Sequence, residues 1–292
     1  MDIIPFDDRD GYIWLNGTMV PWRDAKTHVL THGLHYASSV FEGERVYDHQ
    51  VFKLKEHGER LHRSAQMLDF TIPYSATVLD EAVKELVALQ KVQNGYVRRF
   101  AWRGSEMMAI SAQHNKIHVA IATWPWPNMY KGQNTDKGIR LKTAAWRRPS
   151  PQSAPCHSKA AGLYMICTMS KHQAERDGYQ DALMLDYRGY VAEATGANIF
   201  FVMDGEVHTP TPDCFLNGIT RQTVIELLKK RGVKVVERHV MPEEVNKASE
   251  VFLTGSAAEV TAVGEIDGHH FTPGSITKQA IEDYRELVHT KI

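Results

Sequence analysis

Residues 181–205, DALMLDYRGYVAEATGANIFFVMDG, read as short strands broken by turns. Residues 181–185 form an apolar run, Asp186-Tyr187-Arg188-Gly189 a turn, 190–192 a second strand and 198–203 a third, before a turn at Asp204-Gly205. Strands this closely spaced, with aspartate and glycine at the breaks, predict a meander. Working outward does not restore a steady strand–helix alternation. A helix is predicted upstream over 160–177, ending at Gly178, and an amphipathic helix downstream over 220–231, stopped by Gly232. Intermixed strands and helices without a βαβ rhythm give an α+β fold class rather than a doubly wound sheet.

The N-terminal part is mixed as well. Residues 11–17 read as a strand closed by the Asn16-Gly17 hairpin turn, with Met19-Val20-Pro21 as its partner. Residues 41–47 and 50–54 alternate around Asp48-His49 as a second hairpin. A helix opening at Leu54 sets Leu61, Ala65 and Leu68 on one face, and another over 79–91 carries Ala82, Val83, Leu86, Val87 and Leu89. Further strands are expected over 96–102, 116–124 and near Ile139. The proline-, glycine- and amide-rich stretch between reads as a linker. The expected organisation is an N-terminal domain over 1–125, a linker over 126–137 and a C-terminal domain over 138–292.

Composition narrows the function. The 292 residues carry a formal net charge of −1, which points to neither nucleic acid nor an anionic membrane surface. No apolar stretch approaches the roughly 20 residues that span a bilayer. The N-terminus is acidic where a signal peptide would be basic, so a cytoplasmic location is expected. Cys156, Cys167 and Cys214 are odd in number and widely spaced, which suits unpaired thiols. His28, His32 and His35 lie close together but lack an H-E-x-x-H pattern and a carboxylate ligand, so no metal site is expected. Dinucleotide, P-loop and serine-hydrolase glycine motifs are absent.

Three features could carry chemistry. Ser158-Lys159-Ala160-Ala161-Gly162 sets a lysine among small residues, where close approach and desolvation can free its amine as a nucleophile; a solvent-facing charge is the plainer reading. Val191-Ala192-Glu193-Ala194 sets one carboxylate in an apolar run, and a protonated pyridine nitrogen would be a suitable partner if it is buried; a strand-end glutamate in water is the alternative. Asn217-Gly218-Ile219-Thr220-Arg221 ahead of a helix, and the small-residue turn Thr254-Gly255-Ser256-Ala257-Ala258, could each cradle an anion. Ordinary capping by Thr220 competes with the first.

These segments, with His35-Tyr36, Val40-Phe41-Glu42-Gly43-Glu44-Arg45, Glu59-Arg60-Leu61-His62, Tyr96-Val97-Arg98, Glu193-Ala194-Thr195-Gly196-Ala197-Asn198 and Gly255-Ser256-Ala257-Ala258-Glu259, stand in an order that resembles the fold-type IV aminotransferases, most closely the branched-chain amino acid aminotransferases. The resemblance spans nearly the whole chain. It implies a small α/β domain and a larger pseudo-barrel domain, and pyridoxal 5'-phosphate held by Lys159 as a Schiff base. By the same resemblance Glu193 pairs with the ring nitrogen and Tyr164 with the phenolic oxygen, while Arg60, Ile219, Thr220 and Ser256 hold the phosphate. Phe41, Trp126 and Tyr164 would line an apolar pocket; Arg98 with Tyr36 would meet a side-chain carboxylate; Tyr96 and the amides of Ser256 and Ala257 would meet the α-carboxylate. The implied reaction is ping-pong transfer of the amino group of leucine, isoleucine or valine to 2-oxoglutarate, in a homodimer or larger homo-oligomer whose loop near 104–111 closes the neighbouring pocket.

The chain departs from the family pattern in places. Met107-Met108-Ala109 stands where many relatives have G-x-G, which removes residues that readily take positive φ. Arg99 replaces a common proline, Ser256 a common threonine, and one extra residue separates Trp126 from Tyr130. D-amino acid transaminase, (R)-amine transaminase and aminodeoxychorismate lyase share the fold and would keep Lys159 and Glu193. From other classes, a metal-dependent hydrolase built on the histidine cluster and a non-enzymatic binding protein compete.

Overall fold

The computed structural model describes residues 4–126, 130 and 137–290. The chain divides into two compact units. The first takes the described residues up to 126 together with Ser158–Gly162; the second takes 130, 137–157 and 163–290. The expected linker, apart from Trp126, Tyr130 and Lys137, lies outside the described residues.

In the first unit the strands are β1 (Tyr12–Leu15), β2 (Thr18–Pro21), β3 (Ser39–Tyr47), β4 (Gln50–Val51), β5 (Gly95–Arg103) and β6 (Ile117–Pro125), and the helices α1 (His32–Tyr36), α2 (Leu54–Met67) and α3 (Ala76–Leu89). The sheet runs β2-β1-β6-β5-β3-β4. Asn16 and Gly17 both take positive φ, as the two-residue turn with matching twist requires. Asp48 and His49 do the same without glycine; the His49 backbone N–H donates to Gln93 O at 2.9 Å and its ring Nδ1 lies 3.1 Å from Val92 O, which hold the turn in place. Ser75 caps α3 by accepting from the Val78 N–H. Leu79, Ala82, Val83, Leu86 and Val87 then recur at helical spacing and are buried with Leu61 and Ala65 of α2 against Val40, Val46, Val97 and Ile121 of the sheet. Each large aliphatic chain buried here contributes about 1.5–3 kcal/mol. Leu89, expected on that face, is exposed.

The second unit contains β7 (Ile139–Thr143), β8 (Asp181–Leu185), β9 (Val191–Ala194), β10 (Asn198–Met203), β11 (Glu206–Pro210), β12 (Val235–Arg238), β13 (Glu250–Gly255), β14 (Glu259–Ile266) and β15 (His269–His270), with α4 (Met165–Arg176), α5 (Ile219–Lys230) and α6 (Ser275–His289). Its sheet runs β12-β11-β10-β13-β14-β7-β8-β9, and β9 pairs back onto β10 through Asn198 and Glu193. That return closes β10, β13, β14, β7, β8 and β9 into a barrel-like ring. Ile139, Leu141, Leu183, Val191, Ile199, Phe201, Val251, Leu253 and Val263 belong to its core. The architecture is α+β, and among the described residues no helix is long and apolar enough to cross a membrane.

The helix expected to begin at Ala160 starts later. Ala160 bridges to Val40 of β3, a 3-10 turn covers Ala161–Tyr164, and α4 opens at Met165. A backbone already paired to a strand cannot also open a helix. The same pairing draws Ser158–Gly162 into the first unit.

Candidate active site

Within the first unit, antiparallel register decides which side chains share a face. Phe41 lies opposite Phe100, Gly43 opposite Arg98 and Arg45 opposite Tyr96. Directly paired residues project to the same side, so Phe41, Arg98 and Tyr96 share one face, and Glu42, Glu44 and Arg99 the other. Gly43 is required where it stands: a Cβ there would lie 1.8 Å from the Tyr96 hydroxyl. The Arg98 guanidinium sits 4.6 Å from the Phe41 ring centre and 5.5 Å from that of Tyr96. Trp126 packs 5.9 Å from Tyr96, its carbonyl accepting from Arg45 Nη1.

Lys159 is brought to this face. Its carbonyl accepts from the Phe41 N–H at 3.1 Å, its N–H donates to Ser64 Oγ at 3.0 Å, and its Nζ stands 5.0 Å from the Phe41 ring centre. Ser158 Oγ donates to Ser64 O at 2.9 Å. Ser64, one helical turn beyond Arg60 on α2, thus pins the lysine segment twice. The sequence offers no sign of this, because a buried serine in a helix looks like any other. Arg60 is on the opposite side of the sheet from Phe41, bound to Glu42. Tyr36 ends α1, stacked on His32 at 4.5 Å.

In the second unit, Glu193 lies inside β9 and is buried rather than left at a wet strand end. Asn198 Nδ2 donates to Glu193 Oε2 at 3.1 Å and to Leu216 O at 3.0 Å, while Asn198 Oδ1 accepts from the Gly218 N–H at 3.1 Å. One amide therefore ties the carboxylate to the N-terminus of α5. A Cβ on Gly218 would meet Asn198 Oδ1 at 2.3 Å and would displace that amide. Gly218 is the cap residue of α5 and makes no side-chain cap; Thr220 lies inside the first turn with Ile219, which replaces the expectation of Thr220 as cap. Asn198 is also the cross-strand neighbour of Thr254, and Gly255 packs against Gly196 and Ala197. The turn holding Ser256 and Ala257 is thereby set beside the same strand end.

Arg148 completes this group and was not foreseen. Its Nε stands 3.4 Å from Glu193 Oε1, and Nη1 reaches Cys167 Sγ at 3.2 Å and Leu163 O at 3.4 Å, next to Tyr164. Burial works against its charge, but Glu193 and its other neighbours outweigh that and hold the guanidinium above its ordinary range. In sequence it stands in a proline-rich loop, where arginine is usually solvated. Arg148 Nε and Thr254 Oγ1 are buried polar atoms without a hydrogen-bond partner among the described residues. Orphaned donors beside a helix N-terminus and a turn of small residues are what a polar anionic group such as a phosphopyridine would satisfy.

The remaining candidates fall elsewhere. His32 Nδ1 lies 2.6 Å from Ser38 Oγ and its Nε2 lies 2.8 Å from Ala109 O, while His35 Nε2 lies 2.8 Å from Val29 O and His28 Nδ1 accepts from the Leu30 N–H. The three rings are committed separately to their own neighbours. Among the described residues, Asp186, Asp213 and Cys214 lie close enough to share an ion, but Arg188 bridges both carboxylates. The three cysteines are buried and unpaired. Met107, Met108 and Ala109 keep negative φ, so this loop needs no glycine. Tyr130 is in the core of the second unit, its hydroxyl donating to Asp181.

The profile of the amino-transferase class IV family matches residues 39–266. Over 293 residues, 99% of each chain, the sequence is 40% identical to a probable branched-chain-amino-acid aminotransferase of Rickettsia conorii. Among solved structures, the branched-chain amino acid aminotransferase of Escherichia coli matches at a TM-score of 0.93 and 36% identity, over 97% of each chain. The branched-chain amino acid aminotransferase of Thermobaculum terrenum, solved in its PLP-form, matches at a TM-score of 0.88 and 30% identity, over 95% of this chain and 94% of that one.

Proposed function

The chain belongs to the class IV aminotransferases and, within them, to the branched-chain-amino-acid aminotransferases; on that premise we propose that it moves the amino group of L-leucine, L-isoleucine and L-valine to 2-oxoglutarate, using pyridoxal 5'-phosphate in a ping-pong cycle. The products are the branched-chain 2-oxo acids and L-glutamate. The observation that carries this reading is the shared face of β3 and β5, where Phe41, Tyr96 and Arg98 stand with the Lys159 amine. An aromatic surface with the Arg98 guanidinium set against it suits a site that must accept an aliphatic side chain in one half-reaction and a carboxylate in the other.

When bound, pyridoxal phosphate supplies the electron sink that weakens the bond to the substrate's α-hydrogen. The chain's residues hold, orient and move protons. Lys159 anchors the cofactor through its amine and, once released, carries the proton to and from the substrate Cα as a general base. Glu193 accepts a hydrogen bond from the ring nitrogen, and Tyr164 donates one to the phenolic oxygen. Thr220 and Ser256 hold the phosphate with hydroxyls and amides, Ile219 with its amide, and Arg60 with its charge. Arg98 and Tyr36 bind the side-chain carboxylate of glutamate; Phe41, Trp126 and Tyr164 contact the aliphatic chain; Tyr96 and the amides of Ser256 and Ala257 hold the α-carboxylate. A cytoplasmic enzyme working as a homodimer or larger homo-oligomer belongs to the same reading.

The absorption spectrum of the purified protein, followed by borohydride reduction and peptide mapping, tests the cofactor. A yellow protein with a pyridoxyl group on Lys159 is expected, and a colourless one overturns it. Assays with L-leucine, D-alanine and an (R)-amine against 2-oxoglutarate test the substrate; activity on D-alanine alone would sink the branched-chain assignment.

A further inference from the structure

We propose that Arg148 is a positioning residue that keeps the Glu193 carboxylate ionised, so that Glu193 meets the cofactor ring as an acceptor; this rests on the function proposed above. Arg148 is 4% exposed. Its backbone N–H donates to Leu185 O at 2.8 Å, which fixes the base of the side chain beside β8. A guanidinium stays charged under all working conditions, and buried charge needs a counter-charge. Glu193 supplies it, at 3.4 Å.

Asn198 and Arg148 act on Glu193 in different ways. Asn198 makes a directed hydrogen bond to Oε2 and so sets the orientation of the carboxylate. Arg148 Nε makes no directed bond to Oε1, so its contribution is charge at ion-pair distance. A fixed positive charge that close lowers the proton affinity of a carboxylate. Other titratable groups around the pair include Cys156, Cys167, Tyr164, Asp181 and Asp213. Burial pushes the Cys167 thiol up to about 11 and raises that of Cys156, so neither thiol offsets the guanidinium near neutral pH. Asp181 accepts from Tyr130 and Thr195, and Asp213 from Arg188 and His239. Across β9, Met184 and Asn198 are the strand neighbours of Glu193, and both are uncharged. Arg148 thus places a fixed positive charge at ion-pair distance from the Glu193 carboxylate.

The test compares the pyridoxal-phosphate holoenzyme with Arg148→Gln and Arg148→Lys, by absorbance of the bound cofactor against pH and by the pH profile of kcat. Removing the cation raises the proton affinity of Glu193, so the Gln variant should show the Glu193-dependent transition at least about one pH unit higher. Its rate should then fall about tenfold for each pH unit below that transition and recover above it, since each unit there is a tenfold change in ionised fraction. Arg148→Lys keeps the charge and should leave the transition in place, which carries the test if the Gln variant does not fold. A rate lowered by the same factor at every pH, an unmoved transition in Arg148→Gln, or a moved one in Arg148→Lys overturns the proposal. Glu193→Gln separates this from the cofactor assignment: a wild-type protein that binds no pyridoxal phosphate, or a Glu193→Gln spectrum like the wild type, defeats that assignment instead.

Discussion

Glu42 on β3 accepts from two donors of Arg60 on α2, Nε at 2.7 Å and Nη2 at 2.8 Å, and His57 Nδ1 lies 2.6 Å from the same carboxylate. This two-point pair orients the residue proposed to meet the phosphate and joins helix to sheet in the first unit. Burial alone would raise the Glu42 carboxyl, but the charges of Arg60 and His57 with their hydrogen bonds hold it well below the usual carboxylate range. A folded-state value below the unfolded one means stability that is fully present above about pH 4.3 and lost as pH falls through that region toward the folded value. Glu42→Gln removes the fully buried carboxylate charge that faces Arg60 and His57 and should cost about 3–5 kcal/mol at neutral pH. Its unfolding free energy should also depend less on pH between about 5 and 2 than that of the wild type. Urea unfolding across that range checks both, and an unchanged acid dependence would mean that Glu42 is not the responsible group.

Arg99 forms a second buried cluster on the same side of the sheet. Its Nε and Nη2 donate to Glu44 at 2.6 and 2.8 Å and its Nη1 to Asp80 at 2.6 Å, and Gly58 leaves room for Asp80 Oδ1 and Arg99 Nη1. Arg99→Ala should destabilise by about 3–5 kcal/mol, because Glu44 is fully buried and loses its partner. Arg99→Ala with Glu44→Ala should cost less than the sum of the two single changes. A double-mutant cycle measured by chemical unfolding decides, and additivity would show that the pair is not coupled.

Much of this was legible in the chain because local chemistry and tertiary context agreed. Asn16-Gly17 can hardly be anything but a hairpin turn, and Leu79, Ala82, Val83 and Leu86 demand a helix with one buried face. The meander around Glu193 decided the α+β class. Lys159, Glu193 and the two small-residue turns stood out because each departs from its surroundings. Arg148, Ser64 and Asn198 did not. Their roles come from which strands and helices lie alongside, and that information is nonlocal: Arg148 looks like a loop arginine until β9 brings Glu193 to it. The late start of α4 has the same origin, since nothing near Ala160 announces that its backbone will pair with Val40.

Tyr130 is buried in the second unit, with its hydroxyl 2.6 Å from Asp181 Oδ2. Burial and the Asp181 charge push its phenol well above the ordinary value, so it remains a donor through alkaline conditions. Asp181 also accepts from Thr195 and from the Ala182 N–H, so one lost bond leaves it partly satisfied. Tyr130→Phe should therefore cost about 1–3 kcal/mol by chemical unfolding, with little change in the spectrum of bound cofactor. A large spectral change with no loss of stability would place Tyr130 in the site rather than the core.

The loop at Met107-Met108-Ala109 is held by side chains instead of by glycine. His32 Nε2 lies 2.8 Å from Ala109 O, and a carbonyl can only accept, so that nitrogen carries a proton. Asn115 Nδ2 donates to Met107 O at 3.2 Å and to Gly104 O at 2.9 Å. His32→Phe keeps a ring to stack on Tyr36 but removes the bonds to Ala109 and to Ser38. The loss of about 1 kcal/mol at Ala109 should raise the local opening equilibrium about fivefold near residues 107–110, with any further change limited to residues near Ser38. Hydrogen exchange measured by mass spectrometry reads this directly. The strands β5 and β6 should keep wild-type protection; faster exchange throughout the first unit would show that His32 supports the sheet and not the loop.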